Sequence, residues 1–277
     1  MRKPRWLFFV CCIVMPLHFI GSSAWAEPIR VGGTGAFMSA IKQVSDIYRQ
    51  QHPDTTFQFF HPPMGSSGAI KAVSTNKLDV ALSGRPLNKE EASPELHQEW
   101  LGRSPFVFVV HKDLPVSDVS LTQLIDMVAG RQKVWRDGSR IRVVLRPVAD
   151  ADTTLIKSIS PAMDEAITTA HANRPAGSAL ADTDTDLADK VEKVPGGLGS
   201  VAQAIILAEQ RPLKGLILNG VEPSVTTLDN GGYPYAKPLY TIIRADAPPP
   251  VVAFVAFLRS PEGRSLLPKL GISVQNP

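Results

Sequence analysis

The sequence predicts an α/β fold in which strands and helices alternate and the sheets are largely parallel. Short apolar runs alternate with segments of helical periodicity along the chain, which is typical of this fold class. Two strand-to-helix turns in the first third, residues 32–36 and 65–69, consist mainly of small residues. In open α/β sheets ligands bind at the carboxyl ends of the strands, so we expect the functional groups at such turns.

The predicted elements follow from apolar runs and from capping residues. The predicted strands cover residues 29–32, 56–60, 78–82, 106–111, 141–145, 216–218 and 239–243. The predicted helices cover residues 37–51, 69–75, 121–129, 153–159, 162–172, 184–193, 201–210, 251–258 and 261–270. The last helix illustrates the signals: Ser260 is its N-cap, Pro261 opens its first turn and Glu262 lies near its positive end.

Residues 1–26 have the pattern of a cleaved signal peptide. A basic start precedes an apolar stretch, residues 6–20, and the small residues Ala24 and Ala26 flank Trp25. This arrangement predicts cleavage after Ala26 and export to the periplasm. The apolar stretch is shorter than the roughly 20 residues of a membrane span.

The exported part of the chain has a composition that excludes several classes of function. Both cysteines, Cys11 and Cys12, lie in the leader, so we expect no disulfide, no thiolate metal site and no cysteine nucleophile. The leader holds three basic residues and no acidic one, which leaves 26 of each sign in the remainder. A net charge of zero without a basic run indicates no nucleic-acid partner. The histidines show no metal-ligand spacing, and we predict neither a metal nor a cofactor.

The two small-residue turns are candidate anion-binding sites. The first amides of a helix lack internal partners and carry partial positive charge, and nearby hydroxyls add further donors. An ordinary capped turn is the alternative interpretation, although the repetition of the pattern favours a shared ligand. The candidate ligand-binding residues in these turns are Thr34, Gly35, Ala36, Ser66, Ser67 and Gly68.

Two further strand ends carry polar groups. The strand at 78–82 leads to Ser83 and Arg85, which are candidate ligand-binding residues. The alternative for Arg85 is an ion pair with Glu90 or Glu91 at the surface. The strand at 141–145 leads to Arg146, whose planar guanidinium suits an oxyanion. A turn rich in capping residues follows, and its candidates are Asp150, Asp152 and Thr153.

With these segments in order, the sequence resembles the periplasmic substrate-binding proteins of phosphate-type ABC importers over nearly the whole exported chain. The matching segments are residues 33–36, 52–53, 65–71, 78–87, 144–147, 195–199 and 257–263. The resemblance implies a two-lobed fold of the periplasmic-binding-protein type II class, each lobe a mainly parallel sheet flanked by helices, with a two-stranded hinge. Lobe I would be residues 27–110 and 236–277, and lobe II residues 111–235.

The resemblance also implies a function without catalysis. The protein would capture a small tetrahedral oxyanion, with phosphate as the leading candidate. It would be a monomer and would deliver the anion to an inner-membrane ABC permease. Thr34 to Ala36 and Ser66 to Gly68 would contact the anion from lobe I, and Arg146 with Asp150, Asp152 and Thr153 from lobe II. The alternative is a sensor or protein-interaction module on the same scaffold, with weak or no anion binding.

The chain departs from the phosphate-specific pattern at two places. Relatives of that kind carry an aspartate where this chain has Gly84, and Ser-Gly-Thr where it has Asp150-Ala151-Asp152. A carboxylate rejects a fully ionised oxyanion but tolerates one that keeps a proton to donate. Asp150 or Asp152 could therefore replace the missing aspartate, cap a helix, or pair with Arg85 and Arg146, and the sequence leaves these alternatives open.

Overall fold

The structure, a computed structural model, describes residues 27–275, so the predicted leader lies outside the described residues. The strands in this range are β1 Ile29–Gly33, β2 Phe57–Phe59, β3 Val80–Ser83, β4 Leu96–His111, β5 Asp118–Val119, β6 Arg142–Leu145, β7 Ala179–Leu180, β8 Gly197–Ala202, β9 Leu213–Gly215, β10 Ile217–Leu218 and β11 Ala236–Arg244. The α-helices are α1 Gly35–Gln51, α2 Gly65–Ser74, α3 Leu121–Val128, α4 Ala151–Lys157, α5 Pro161–Ala172, α6 Asp184–Lys193, α7 Gln203–Glu209, α8 Val225–Asp229, α9 Pro249–Arg259 and α10 Pro261–Leu266.

Strands β4 and β11 join two groups of parallel strands in a nine-stranded sheet. The first group has the order β2-β1-β3 and the second has the order β8-β6-β7, and the pairs within each group are parallel. Strand β11 runs antiparallel to β3 and to the first part of β4, and the last part of β4 runs antiparallel to β8. The predicted α/β fold class is confirmed, with β4 and β11 in the place of the expected hinge strands.

The apolar cores follow the same division. Two clusters are built almost entirely from residues 29–101 and 239–272, with a small contribution from α7 and its entry. The other two are built from residues 106–233. The lobe boundaries themselves remain a prediction, and the first of them falls one residue before the end of β4.

Two differences from the predicted elements have clear physical causes. Strand β4 has 16 residues and not six, because its polar first half pairs with β11 throughout. Strand β8 was not predicted, and the helix expected from residue 201 begins only at Gln203. The glycines of β8 hide the strand pattern but allow close packing, since a Cβ on Gly199 would lie 2.6 Å from Leu187 Cδ2.

Within the described range, the structure has no helix with both the length and the apolar character required to cross a membrane.

Candidate functional site

A cleft cavity of about 670 Å³ lies where the strand-to-helix turns of the two strand groups meet. One wall is formed by the start of α2 and by the turn that follows β3. The facing wall is formed by the turn between β6 and α4 and by the turn between β7 and α6. Lys237 and Pro238 of β11 line the cavity between these walls. The cavity therefore lies at the sheet edge where the sequence predicted the ligand.

At the start of α2, two serine hydroxyls are prepared to act as donors. Ser66 Oγ accepts a hydrogen bond from the Gly84 amide at 2.9 Å, and Ser67 Oγ accepts one from Arg85 Nη2 at 2.8 Å. Within residues 27–275 neither hydroxyl donates to another group, so each retains its O–H for a ligand in the cavity. The N-cap residue Met64 supplies no side-chain acceptor to the first turn of the helix.

Arg85 contacts Ser67 in this wall, and the hydrogens of both its Nη atoms are engaged in hydrogen bonds. Its Nη1 and Nη2 donate to the two carboxylate oxygens of Glu91 at 2.7 and 2.8 Å, and Nη1 also donates to the Pro86 carbonyl. The bidentate contact raises the pKa of Arg85 and lowers the pKa of Glu91. Of the alternatives left open by the sequence, the pairing with Glu91 is the one observed.

On the facing wall, Arg146 is 4% exposed and pairs with the residue that caps α4. Its Nη2 lies 2.7 Å from Asp150 Oδ2, and its Nη1 donates to the Ala181 carbonyl at 3.1 Å. Burial opposes the charge of Arg146, but the carboxylates of Asp184, Asp150 and Asp152 raise its pKa above the ordinary value. Each Nη atom carries two hydrogens, so Arg146 retains donors for a ligand beyond these contacts.

Asp150 therefore has two of the roles that the sequence left open. Its carboxylate accepts from the Asp152 amide at 2.9 Å as the N-cap of α4, and it pairs with Arg146 at the same time. The neighbouring Thr153 hydroxyl donates to the carbonyl of Pro147 at 2.9 Å and does not line the cavity.

A buried ion cluster, defined here as Lys237, Asp152 and Asp184, closes the inner end of the cavity. Lys237 Nζ lies 2.6 Å from Asp152 Oδ1 and 2.6 Å from Asp184 Oδ1, and all three side chains are at most 4% exposed. Asp184 Oδ2 accepts a hydrogen bond from the Thr34 hydroxyl at 2.7 Å. A contact between the start of α1 and the start of α6 thus joins the two strand groups across the cleft cavity.

The charges of this cluster shift the pKa values of its two carboxyls in opposite directions. Burial opposes the charge of Asp184, but Lys237 and Arg146 together with the hydrogen bonds from Lys237 and Thr34 hold its pKa well below the usual range. Burial and the nearby carboxylates of Asp184 and Asp150 raise the pKa of Asp152 to about 7, against the attraction of Lys237. Lys237 has a raised pKa because both carboxylates outweigh its burial.

Asp152 is the least satisfied member of the buried ion cluster. Although Lys237 Nζ is close to Oδ1, its direction does not fit a hydrogen bond, and Oδ2 has no hydrogen-bond partner among the described residues. Three carboxylates, those of Asp150, Asp152 and Asp184, face two cations here. Burial is the main reason why Asp152 binds a proton more readily than an ordinary aspartate, and the surplus of negative charge adds to it.

The structure brings together most, but not all, of the residues predicted to bind a ligand. Those that line the cleft cavity are Thr34, Ser66, Ser67, Arg85, Arg146, Asp150 and Asp152. Those that do not line it are Gly35, Ala36, Gly68, Ser83 and Thr153. Ser83 is fully buried, and its hydroxyl donates to the Arg85 carbonyl at 2.6 Å as part of the turn.

Sequence reasoning missed two residues of this site, Asp184 and Lys237. Asp184 stands in a run of alternating aspartates and threonines, residues 182–186, whose composition is typical of a helix start, and Thr183 caps α6 by accepting from the Asp186 amide. Lys237 lies just before the apolar run of β11, where a lysine is expected to be exposed. Among residues 27–275, no cluster of three or more His, Cys, Asp or Glu side chains is arranged to hold a metal ion.

Comparisons with known proteins agree with this architecture. The family model described as "PBP superfamily domain" matches residues 21–262. Phosphate-binding protein PstS 2 of Streptococcus pneumoniae serotype 4 is 26% identical over 107 residues, which span 39% of this chain and only 36% of that protein.

Two solved structures have the same fold at low sequence identity. A candidate phosphate ABC transporter substrate-binding protein of Clostridium perfringens, solved with bound phosphate, matches with a TM-score of 0.75 and 17% identity over 90% of this chain and all of that one. An ABC-type phosphate transport receptor of Vibrio cholerae matches with a TM-score of 0.60 and 19% identity over 89% of this chain and all of that one. The family match covers most of the sequence, and the chain belongs to the PBP superfamily.

Proposed function

We propose that this protein is an extracytoplasmic solute-binding protein that captures a small tetrahedral oxyanion for an ABC importer. Phosphate is the leading candidate for this oxyanion. The protein acts by binding and release, without catalysis, as a monomer in the periplasm after removal of residues 1–26. The proposal is supported by the names of the similar proteins, which include a phosphate-binding protein and a phosphate transport receptor.

The observation that carries the proposal is that Ser66, Ser67 and Arg146 in the cleft cavity have hydrogen-bond donors without an acceptor among the described residues. The Ser66 and Ser67 oxygens both accept a hydrogen bond from the protein, so their hydroxyl hydrogens are free to donate. A ligand that binds them must therefore be a hydrogen-bond acceptor. Arg146 adds spare guanidinium hydrogens from the facing wall. Donors from both walls can replace the hydration shell of an anion, and motion of the lobes about β4 and β11 would open and close the cavity.

The carboxylates of the cavity favour an oxyanion that carries a proton. Asp152 has a pKa of about 7 and an oxygen without a partner among the described residues. A protonated phosphate can donate to such a carboxylate, whereas sulfate has no proton to give at neutral pH. We therefore expect phosphate to bind more tightly than sulfate.

Isothermal titration calorimetry of the protein without its leader tests the proposal with phosphate, sulfate and molybdate. We expect a heat of binding with phosphate, and we expect Arg146→Ala to weaken phosphate by more than about tenfold, since a hydrogen bond to a charged group contributes about 1.5–3 kcal/mol. The control Arg131→Ala removes an exposed arginine that pairs with Asp126 outside the cavity.

Because Arg146 also holds Asp150, its loss could disturb the fold, so the double variant Ser66→Ala with Ser67→Ala provides an independent test at the start of α2. Absence of heat with every oxyanion would contradict the proposal. Unchanged phosphate affinity in a folded double variant would show that the two serines do not contact the anion.

One observation favours the alternative function of a sensor or protein-interaction module. The Thr34 hydroxyl, a predicted anion contact, already donates to Asp184. A protein that holds its own carboxylate at that position needs no external anion there. This alternative predicts no heat with any oxyanion and a protein partner that copurifies in stoichiometric amount.

A further inference from the structure

The cleft cavity is much larger than an inorganic oxyanion. Its volume of about 670 Å³ falls in the range of about 300–1,000 Å³ that is typical of pockets for drug-sized ligands. At about 30 Å³ for each water, this volume equals that of roughly 20 water molecules. Phosphate consists of one phosphorus and four oxygens, so it would leave most of the cavity to solvent.

The available donors cover only part of the cavity wall. The Thr34 hydroxyl and the Lys237 ammonium are engaged by Asp184, and both Nη atoms of Arg85 are engaged by Glu91 and its neighbours. Ser66, Ser67, Thr183 and Arg146 line the cavity and keep side-chain hydrogens to spare among the described residues. They lie on the two facing walls and can hold the oxygens of one phosphoryl group, which leaves most of the cavity volume for another part of the ligand.

Apolar groups form another part of the wall. Pro63 and Met64 precede α2, Leu155 lies on α4 and Pro238 lies on β11, and all four line the cavity. Ala149, in the turn before α4, is exposed and lines it as well. Carbon surface of this kind stabilises a carbon substituent and contributes nothing to the binding of a bare oxyanion.

Asp152 gives an independent sign that the ligand carries a polar hydrogen. Its side chain is 1% exposed and lines the cavity, and its Oδ2 has no hydrogen-bond partner among the described residues. A buried carboxylate oxygen without a donor is costly, and a hydroxyl on the organic substituent, such as those of glycerol 3-phosphate, could supply the donor.

We propose that the cavity takes an organic phosphate, a phosphate monoester or a phosphonate, in preference to inorganic phosphate. The phosphoryl oxygens accept hydrogen bonds from Ser66, Ser67 and Arg146, and the organic substituent lies along Met64, Leu155 and Ala149. This inference rests on the proposed oxyanion-binding function and specifies its substrate class.

Calorimetric titration with inorganic phosphate, glycerol 3-phosphate and phenyl phosphate tests the inference. We expect at least one of the two esters to bind about tenfold or more tightly than inorganic phosphate, because its substituent removes apolar wall from water. The variant Ala149→Trp fills the apolar part of the cavity and is expected to weaken the esters by about tenfold or more while changing inorganic phosphate less than about threefold.

The matched control is Val148→Trp, which places the same side chain on the adjacent residue, 62% exposed and outside the cavity lining. It is expected to change neither affinity. If inorganic phosphate binds as tightly as both esters or more tightly, or if Ala149→Trp weakens phosphate and esters equally, this inference is wrong and the proposed function stands. If no phosphorus compound binds, this inference is wrong, and if sulfate and molybdate give no heat either, the proposed function is wrong as well.

Discussion

At the scale of single residues, Asp152 links the site to the pH dependence of stability. Its pKa is raised from 3.8 to about 7 by burial and by the nearby carboxylates. Between these two values the folded protein holds a proton that the unfolded chain has released. The contribution of Asp152 to the free energy of unfolding therefore decreases as the pH rises from about 4 to about 7.

The variant Asp152→Asn removes this titration, and urea unfolding at pH 5 and pH 7.5 measures the effect. The wild type should lose more stability than the variant between the two values. His171 has a lowered pKa and acts in the opposite direction in both proteins, so the difference between them is the informative quantity. Equal changes in wild type and variant would show that Asp152 does not hold the proton. Asp113→Asn, at a side chain that is 75% exposed, is the control.

Lys237 is the second residue whose removal has a specific expected cost. It is the ammonium between two buried carboxylates, and loss of one partner of a buried ion pair costs about 3–5 kcal/mol. Lys237→Met should lower the free energy of unfolding by about that amount, whereas Lys42→Met, which breaks an exposed pair with Asp46, should cost about 0–1 kcal/mol. Urea denaturation of both variants makes the comparison, and similar small losses would contradict the arrangement of the cluster.

At the scale of elements, the turn between β1 and α1 depends on Gly33. Its φ is +156°, and a Cβ there would lie 2.1 Å from the Leu82 carbonyl oxygen, which accepts from the Thr34 amide at 3.0 Å. Gly33→Ala must displace β1 from β3 or distort the turn that holds Thr34. Overpacking of this kind costs about 1–3 kcal/mol, and backbone strain adds to it.

The measurement is the urea midpoint of Gly33→Ala compared with that of Gly232→Ala. Gly232 has the movable side-chain oxygen of Asn230 as its nearest neighbour, at 3.1 Å, so its variant should remain close to the wild type. A Gly33→Ala protein as stable as the Gly232→Ala protein would contradict the close approach of the two strands.

The elements that the sequence predicted are those with strong local signals. Helices α1, α5 and α6 lie within two residues of their predicted bounds, because apolar periodicity and residues such as Ser160 and Thr183 mark them. Strand β8 was missed because its glycines serve packing between distant elements, and the first half of β4 was missed because it carries polar residues. The pairing of those strands is a tertiary property that local pattern does not contain.

At the scale of the whole molecule, the turns that line the cavity were predictable but the buried ion cluster between them was not. Alternating elements and parallel strands bring strand ends to one edge, which placed Ser66, Arg85 and Arg146 at a common cavity. The contact of Thr34 with Asp184 joins residues 150 positions apart, and that of Lys237 with Asp184 joins residues 53 apart. Such pairs have no sequence spacing that identifies them, so only the fold reveals them.

The cleft cavity is proposed to hold a phosphoryl group between the start of α2 and Arg146. A crystal structure of the leader-free protein grown with saturating phenyl phosphate tests this proposal most directly. We expect tetrahedral density within hydrogen-bond distance of the Ser66 and Ser67 hydroxyls and of the Arg146 guanidinium, with the ring on the Ala149 side. A cavity filled by water alone at a saturating concentration of that compound would contradict the account.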